Sequence, residues 1–262
     1  MERSSLSPLS RAPALAPGDV VAGYFARRPP ATERGTLLLP GAPRIYALLG
    51  GTSDARLTIR RRTSDVLPRV GFIGPTTKIA HLEHGDAILF GLRLRTTSWA
   101  SLFGGDLSRF TDRVVPLSAI DLSAPPLVCD PGGDPAAAFA PWLAARLAAA
   151  SDRDRLSQRL IDVIDADPRT SVAEVAAALR ITPQQLSVAC LHGFGLPPKR
   201  LLMLRRFLRV LRRILPDPTA TGRVLWQAGY VDHSHFAKDC RRFLDMSLQG
   251  FRQRIGDADD LA

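Results

Sequence analysis

Residues 229–243 combine small, polar and cationic side chains at spacings that suit contact with a nucleic acid. Phe236, Cys240 and Phe243 recur at i, i+4 and i+7, which predicts the buried stripe of a helix. The outward positions are then His233, Ser234, Ala237, Lys238 and Arg241, and Arg242 follows them in the same helix. Imidazole, hydroxyl and cationic groups on one helical face can bond base edges and phosphates. The segment therefore predicts recognition of double-stranded DNA.

The residues before this helix predict a tight turn. Gly229 can adopt a positive φ where the preceding helix ends, and Asp232 is a suitable N-cap for the free amides of the next helix. We therefore interpret the segment as a helix-turn-helix. Of its two histidines, we assign His233 to the groove and His235 to a structural role beside the turn.

Positive charge is concentrated in the same part of the chain. The whole sequence has a formal net charge of +10 at pH 7. Residues 180–254 contain 14 Lys and Arg and four Asp and Glu, a net of +10, whereas the rest contains 21 of each. A module that binds a polyanion concentrates cations where phosphates lie, so the distribution supports binding of nucleic acid.

The apolar skeleton of the segment occurs a second time, 50 residues upstream. The matched pairs are Leu186 and Phe236, Cys190 and Cys240, Phe194 and Leu244, Leu196 and Met246, and Leu201 and Phe251. Ser171 with Glu174, and Thr182 with Gln185, predict capped helix starts in this upstream copy. A fixed offset predicts two copies of one structural unit.

A long basic helix over residues 197–215 is predicted to join the two units. Its expected apolar stripe is Leu201, Leu204, Leu208, Leu211 and Leu215, with arginines on the remaining surface. Upstream of both units, a helix over 156–164 is expected to add Leu156, Leu160, Val163 and Ile164 to the same core, after a cap at Ser151 and Asp154.

Residues from about 156 to 254 resemble the C-terminal DNA-binding domain of AraC-type bacterial transcription regulators, in which a linker helix joins two helix-turn-helix units. The second unit matches the family at Gly229, Tyr230, Asp232, Ser234, His235, Phe236, Lys238, Arg241, Phe243, Phe251 and Arg252. The first matches at Ala176, Thr182, Leu186, Gly195, Pro198 and Arg206. The resemblance implies that both recognition helices enter the major groove, about 34 Å apart.

The sequence departs from the family pattern at several packing positions. Cys190 and Cys240 replace phenylalanine, Leu225 replaces alanine, Asp245 replaces glycine and Leu248 replaces proline. In the first recognition helix, the resemblance places Gln184, Ser187 and Val188 at the DNA. These residues include no cation, so we expect the second helix to supply more affinity, while Gln184 contacts adenine and apolar atoms contact thymine methyls.

Residues from about 20 to 122 change to short runs with alternating hydrophobicity, separated by Gly and Pro. The clearest predicted strands are 45–49, 57–61, 70–73 and 87–95. In the last, Ile88, Phe90, Leu92 and Leu94 share a face. The pattern predicts a small barrel or a sandwich. The strand order, the turn at Gly74 and the segment 110–122 also resemble the short cupin-like sensor domain of some AraC-type regulators.

Residues of catalytic type form no recognisable site. His81, Glu83 and His84 are the only cluster with metal-ligand residue types, but their spacing is unsuitable, and we expect a solvated loop before the Gly85 turn. No carboxylate pair, phosphate-binding loop or nucleophile elbow occurs. The sequence therefore predicts no enzyme activity, no metal and no cofactor.

The remaining segments place the protein in the cell and connect its halves. Residues 1–17 indicate a disordered tail and not a signal peptide, and no apolar run is long enough to cross a membrane. Three cysteines without a paired motif favour a reducing cytoplasm. A helix over 134–150 with Phe139, Trp142, Leu143 and Leu147 is expected either to mediate dimerisation, to dock the two domains, or to pack on the N-terminal domain.

Together these features predict an α+β chain of two domains, with a β-rich, small-barrel or cupin-like N-terminal domain and an all-α double helix-turn-helix C-terminal domain. The expected limits are a tail to 17, a sensing or dimerising domain over 18–123, a connecting segment over 124–150, a DNA-binding domain over 151–255 and a tail from 256. Arg206 is expected to brace the second domain, and Trp226 to pack in a core or between domains.

The predicted function is sequence-specific, cytoplasmic transcription regulation by DNA binding. Control by a small-molecule effector or partner, contact with RNA polymerase and a homodimer follow from the resemblance. Two alternatives stay open: a nucleic-acid binder without sequence specificity, and a protein-interaction regulator with degenerate DNA binding.

Overall fold

The computed structural model describes residues 21–27, 35–51, 54–85, 87–95, 97–121, 123–124, 135–148 and 155–255. The predicted terminal tails, the cap at Ser151 and Asp154, and Cys129 lie outside the described residues. The predicted arrangement of a strand-rich first half and a helical second half is confirmed.

Nine strands form two antiparallel sheets in the described part of the first half. They are β1 Val21–Arg27, β2 Gly35–Leu38, β3 Arg44–Leu49, β4 Arg56–Ile59, β5 Arg62–Thr63, β6 Val70–Ile73, β7 Ala80–Glu83, β8 Ile88–Leu94 and β9 Val114–Pro116. One sheet has the order β1-β8-β3-β6-β9 and the other β2-β7-β4-β5. Among these strands the sheets do not close into a barrel, so of the two predicted β architectures the layered one is found.

The five-stranded sheet is buried on both faces along its three central strands, β8, β3 and β6. Its strand β8 directs Phe90, Leu92 and Leu94 towards the helices α1 (Trp99–Leu102) and α2 (Pro135–Ala148), as the shared face predicted. Leu89 on the opposite face packs with Leu82 and Leu57 of the four-stranded sheet. The first half therefore has three layers, which the alternation of β8 alone did not indicate.

Helix α2 packs on the N-terminal half itself. Phe139, Trp142 and Leu143 are buried against the five-stranded sheet, with the Phe139 and Phe90 rings stacked 5.7 Å apart. The buried carboxylate of Asp121 accepts hydrogen bonds from Trp142 Nε1 at 2.7 Å and from Arg146. Of the three roles predicted for this helix, the structure supports packing on its own domain. The Leu147 side chain lies outside the described set.

Seven α-helices lie in the described part of the second half. They are α3 Arg155–Ala166, α4 Val172–Leu179, α5 Pro183–Phe194, α6 Pro198–Ile214, α7 Thr221–Gln227, α8 His233–Leu244 and α9 Leu248–Ile255. Both predicted capping boxes are present: Ser171 with Glu174 begins α4, and Thr182 with Gln185 begins α5. One apolar cluster extends through all seven helices and includes Leu39 and Ile79 from the first half.

The predicted stripe of α6 is correct in part. Leu201, Leu204 and Leu211 are buried, but Leu208 and Leu215 are only half-buried, and Phe207, Val210 and Ile214 are buried instead. Because α6 contacts α5, α7 and α8, it buries a wider face than a single leucine stripe.

In α3, Leu156 is exposed and Ile161 takes the buried position, since α3 packs against α4, α5 and α6 through its Leu160 side.

The expectation of a solvated loop at His81, Glu83 and His84 is wrong. Residues 80–83 form β7, whose alternation leaves His81 and Glu83 on the exposed face. His84 is fully buried because Thr36 Oγ1, at 3.1 Å, and the carbonyl of Ala87, at 2.9 Å, satisfy both ring nitrogens.

Candidate nucleic-acid interface

The turn before α8 has the predicted geometry. Gly229 has φ +78°, and a Cβ there would lie 2.8 Å from Arg169 Cγ, so both conformation and space favour glycine. Asp232 Oδ1 accepts the backbone N–H of His235 at 2.7 Å and caps the helix. The His235 ring lies 4.9 Å from the buried Tyr230 ring, in agreement with a structural role for this histidine.

Helix α8 separates a buried face from an exposed one. Phe236, Cys240 and Phe243 are buried as predicted, and burial raises the pKa of the Cys240 thiol to about 12. On the other face, the exposed predicted residues are His233, Ser234, Lys238, Arg241 and Arg242, with Ala237 half-buried. Lys238 and Arg241 make no hydrogen bond or ion pair with any residue that the structure describes, so both cations are available to a ligand.

Three of the predicted DNA-contacting residues share a shallow groove. His233, Ala237 and Arg241 line a space of about 220 Å³ beside Thr221 and Ser247, which lie near the starts of α7 and α9. The structure thus brings these three outward positions of α8 together on one surface.

Arg242 is engaged within the protein. Its guanidinium donates to the fully buried carboxylate of Asp239 at 2.6 Å. The Tyr230 hydroxyl donates to the same carboxylate at 3.0 Å, and Arg206 lies 3.8 Å from it and 4.8 Å from the Tyr230 ring centroid. Arg206 therefore braces the turn, as predicted, and Arg242 serves the same network while its side chain stays partly exposed.

Burial and the negative charge of Asp239 both raise the pKa of Tyr230 above its ordinary value, so the hydroxyl stays protonated and donates. Asp239 was not predicted from the sequence, although a signal was present. Position 239 lies three residues after Phe236 and four before Phe243, on the buried side of the helix.

Helix α5 places the first set of predicted residues at the surface. Gln184 and Val188 are exposed and Ser187 is half-buried, while Leu186, Cys190 and Phe194 are buried. Burial raises the pKa of the Cys190 thiol to about 12. The exposed residues Gln184 and Val188 carry no charge, whereas α8 exposes Lys238, Arg241 and Arg242.

Trp226 is not packed in a core, contrary to the expectation. The residue is 69% exposed, and Val231, which follows the turn at Gly229, is 81% exposed. The Arg169 guanidinium lies 5.8 Å from the Trp226 ring centroid and donates to the Trp226 carbonyl at 2.8 Å. The ring therefore contacts a cation instead of the expected apolar partner.

A cavity of about 770 Å³ lies between the two halves. Leu196, Leu201, Leu204 and Leu208 form part of an apolar wall, and seven arginines and two aspartates also line it. Asp165 pairs with two of these arginines, Arg205 and Arg209. Because arginines outnumber aspartates in the lining, its net charge is positive.

No group of His, Cys, Asp or Glu suited to hold a metal ion occurs among the described residues. None of the helices in the described part of the chain is long and apolar enough to span a membrane.

Comparison with known proteins identifies the C-terminal half. The helix-turn-helix domain family matches residues 175–254. No curated protein matches the sequence. An apo variant of ToxT from Vibrio cholerae strain SCE256 has a similar fold, with TM-score 0.52 and 11% identity, covering 88% of this chain and 97% of that chain. Wild-type ToxT of that strain bound to an unsaturated fatty acid gives TM-score 0.49 and 10% identity over 90% and 96% of the two chains.

Proposed function

We propose that this chain, a DNA-binding transcription regulator whose residues 175–254 form an AraC-type helix-turn-helix domain, recognises a specific sequence of double-stranded DNA. The observation that carries the proposal is the duplicated pair of capped helices, α5 and α8, each with a buried apolar face and an outward polar face. Recognition helices of this kind read base edges in the major groove, with centres about 34 Å apart in successive half-sites.

The two helices differ in the contacts that they offer. Lys238 and Arg241 are exposed cations suited to phosphates, while His233, Ser234 and Ala237 face the bases at the start of α8. Gln184 is suited to adenine, and Ser187 and Val188 to small polar and thymine-methyl contacts. The Arg242 guanidinium already donates to Asp239. We therefore assign Arg242 a contribution to the positive potential of this surface and no direct bond to a base.

Selection of bound duplexes from a random pool with the full-length protein tests the proposal. We expect one recurrent motif in two parts. At a fixed salt concentration, Lys238→Ala should weaken binding of the selected duplex more than Gln184→Ala does; equal losses would contradict the asymmetry. Recovery of no motif would refute sequence-specific recognition.

The uncharged outward face of α5 favours one alternative, binding without sequence preference. In that case, all duplexes would bind with similar affinity and a steep dependence on salt. A protein-interaction regulator, by contrast, would show no appreciable affinity for any duplex at low salt.

For control of this activity, we propose that the cavity between the halves binds a small acidic ligand with an apolar part. Arginines suit a carboxylate, and the leucines of α6 suit a hydrocarbon. The fatty acid bound to ToxT is a ligand of that chemistry.

Decanoate and decanol are a matched pair of probes for this cavity. Decanoate should raise the unfolding temperature and change DNA affinity, and Leu208→Trp, which narrows the cavity beside its leucines, should weaken both effects. An equal response to decanol would refute recognition of the acid.

Contact with RNA polymerase and homodimer formation stay predictions that rest on resemblance.

A further inference from the structure

Asp245 occupies a position that is locally unfavourable for aspartate. It ends α8 in the left-handed conformation, with φ +56°, where glycine carries no Cβ penalty. Its negative charge also lies at the negative end of the helix dipole. A residue that violates two local rules points to a compensating contact elsewhere.

The compensating contact comes from the N-terminal half. Lys78 forms a hydrogen-bonded ion pair with the Asp245 carboxylate. Next to it, the backbone N–H of Ile79 donates to the carbonyl of Phe243 at 2.7 Å, so one of the free carbonyls at the end of α8 has a partner. The loop 75–79, between β6 and β7, is thus bonded to the end of the second recognition helix.

The loop is anchored on its own side by a second aspartate with positive φ. Asp112, with φ +57°, accepts the Thr77 N–H at 2.7 Å and the Thr77 hydroxyl at 2.6 Å. From the helical half, Arg200 at the start of α6 donates to the Thr77 carbonyl at 2.9 Å. Polar contacts from both halves therefore fix loop 75–79.

The first recognition helix is held at the equivalent place. Gly195 ends α5 with φ +69°, and its carbonyl accepts the Thr111 hydroxyl at 2.6 Å. A Cβ at Gly195 would lie 2.9 Å from Pro75, the first residue of the loop. Gly195 and Asp245 are 50 residues apart, the same offset as the internal repeat, so the N-terminal half contacts the same point of each copy.

We propose that the N-terminal half clamps the C-terminal ends of both recognition helices and thereby fixes their spacing on DNA, with the pair of Lys78 and Asp245 securing the second helix. The inference rests on the proposed DNA recognition. A shared clamp makes displacement of α8 relative to α5 costly, because either helix can move only by breaking its bonds to the same three-layered unit.

Two variants remove the pair without altering the backbone preference. Asp245→Asn keeps a residue that tolerates positive φ, and Lys78→Gln keeps most of the side-chain length. Asp167→Asn is the matched control, since this carboxylate accepts the Arg169 N–H within the helical half. All experiments use the full-length chain.

The first readout is hydrogen exchange of the Ile79 amide, which requires no DNA. We expect both variants to accelerate exchange about two- to fivefold, as loss of a partly exposed ion pair allows, while Asp167→Asn leaves it unchanged. Unchanged exchange in both variants would overturn the clamp.

The second readout compares the selected duplex with the same duplex carrying one inserted base pair between its two parts. The wild type should discriminate strongly against the insertion, and both variants should reduce this discrimination about two- to fivefold. Faster exchange with unchanged discrimination would overturn the role in spacing. If selection recovers no duplex, the proposed function fails and the role in spacing with it, whereas the exchange result still decides whether the clamp exists.

Discussion

Asp239 lies within the predicted DNA-reading helix, yet it stabilises the fold. Its carboxylate is fully buried and contacts three elements: the turn before α8 through Tyr230, helix α6 through Arg206, and α8 itself through Arg242. A buried charge with several donors orients these groups, because each would lack a partner if the carboxylate were lost.

We therefore expect Asp239→Ala to destabilise the protein by about 3 kcal/mol, the scale for leaving a buried pair without one partner. Chemical denaturation measures this loss. Ser234→Ala, an exposed change in the same helix, should stay within about 0.5 kcal/mol of the wild type. An equal effect of the two substitutions would contradict the structural role of Asp239.

Lys238 should affect binding and leave folding unchanged. Because its ammonium group has no partner among the described residues, Lys238→Ala should reduce the slope of log affinity against log salt by about 0.9, the value for one phosphate contact. Titrations at several salt concentrations measure the slope. Arg62→Ala, an exposed cation on β5, serves as the control, and a slope equal to that control would place Lys238 away from the phosphates.

Asp121 gives a prediction for acid stability. Burial opposes its ionisation, but hydrogen bonds from Arg146, Ser123 and Trp142 outweigh burial and lower its pKa below the ordinary value. Protonation therefore favours the unfolded chain, in which the pKa is higher. The stabilisation is present above about pH 4, near the unfolded pKa, and decreases as pH falls towards the lowered folded pKa.

Thermal unfolding of the wild type and Asp121→Asn across this range tests the prediction. The difference between their unfolding temperatures should be largest near neutral pH and diminish below about pH 4. A difference independent of pH would show that the carboxylate charge does not contribute.

At the scale of elements, helix starts were predicted most accurately. Thr182 accepts the Gln185 N–H at 3.1 Å, and Gln185 Oε1 accepts the Thr182 N–H at 2.8 Å. Both residues belong to one turn, so their spacing in the sequence contains the whole signal. The turn at Gly229 and Asp232 was predictable for the same reason.

Thr182→Ala should cost about 1 kcal/mol, because one donor at the start of α5 loses its partner. Thr182→Ser should retain most of the stability, since serine supplies the same oxygen. Urea denaturation of the two variants separates the cap from the loss of a methyl group; equal losses would mean that the hydroxyl does not matter.

Features that depend on distant partners were not predictable. Leu89 is buried because a second sheet, built from other strands, covers its face. His84 is buried because Thr36, 48 residues away, supplies a hydrogen bond. Trp226 lies at the surface, where Arg169, 57 residues away, contacts its ring and bonds its carbonyl. In each case the partner group lies far away in sequence, so the local pattern of hydrophobic residues could not predict the contact.

At the scale of the whole molecule, the two halves share apolar packing. Leu39 and Ile79, both from the strand-rich half, belong to the cluster formed by the seven C-terminal helices. Ile79 is only 8% exposed, and its amide is bonded to the end of α8. The halves should therefore unfold together, because separation exposes these side chains and breaks the bonds at the ends of α5 and α8.

Ile79→Ala tests this coupling. It should destabilise the protein by about 2–4 kcal/mol, the range for large-to-small substitutions at buried sites. The loss should appear equally in the near-ultraviolet signal of Trp142 in the first half and in the far-ultraviolet signal, to which the helices of the second half contribute. Because Trp226 of the second half also absorbs, the comparison is made in a Trp226→Phe background at wavelengths that tyrosine does not absorb, where Trp99 reports on the same core as Trp142. Two separate transitions in that background would mean that the halves fold independently and that their contact contributes little to stability.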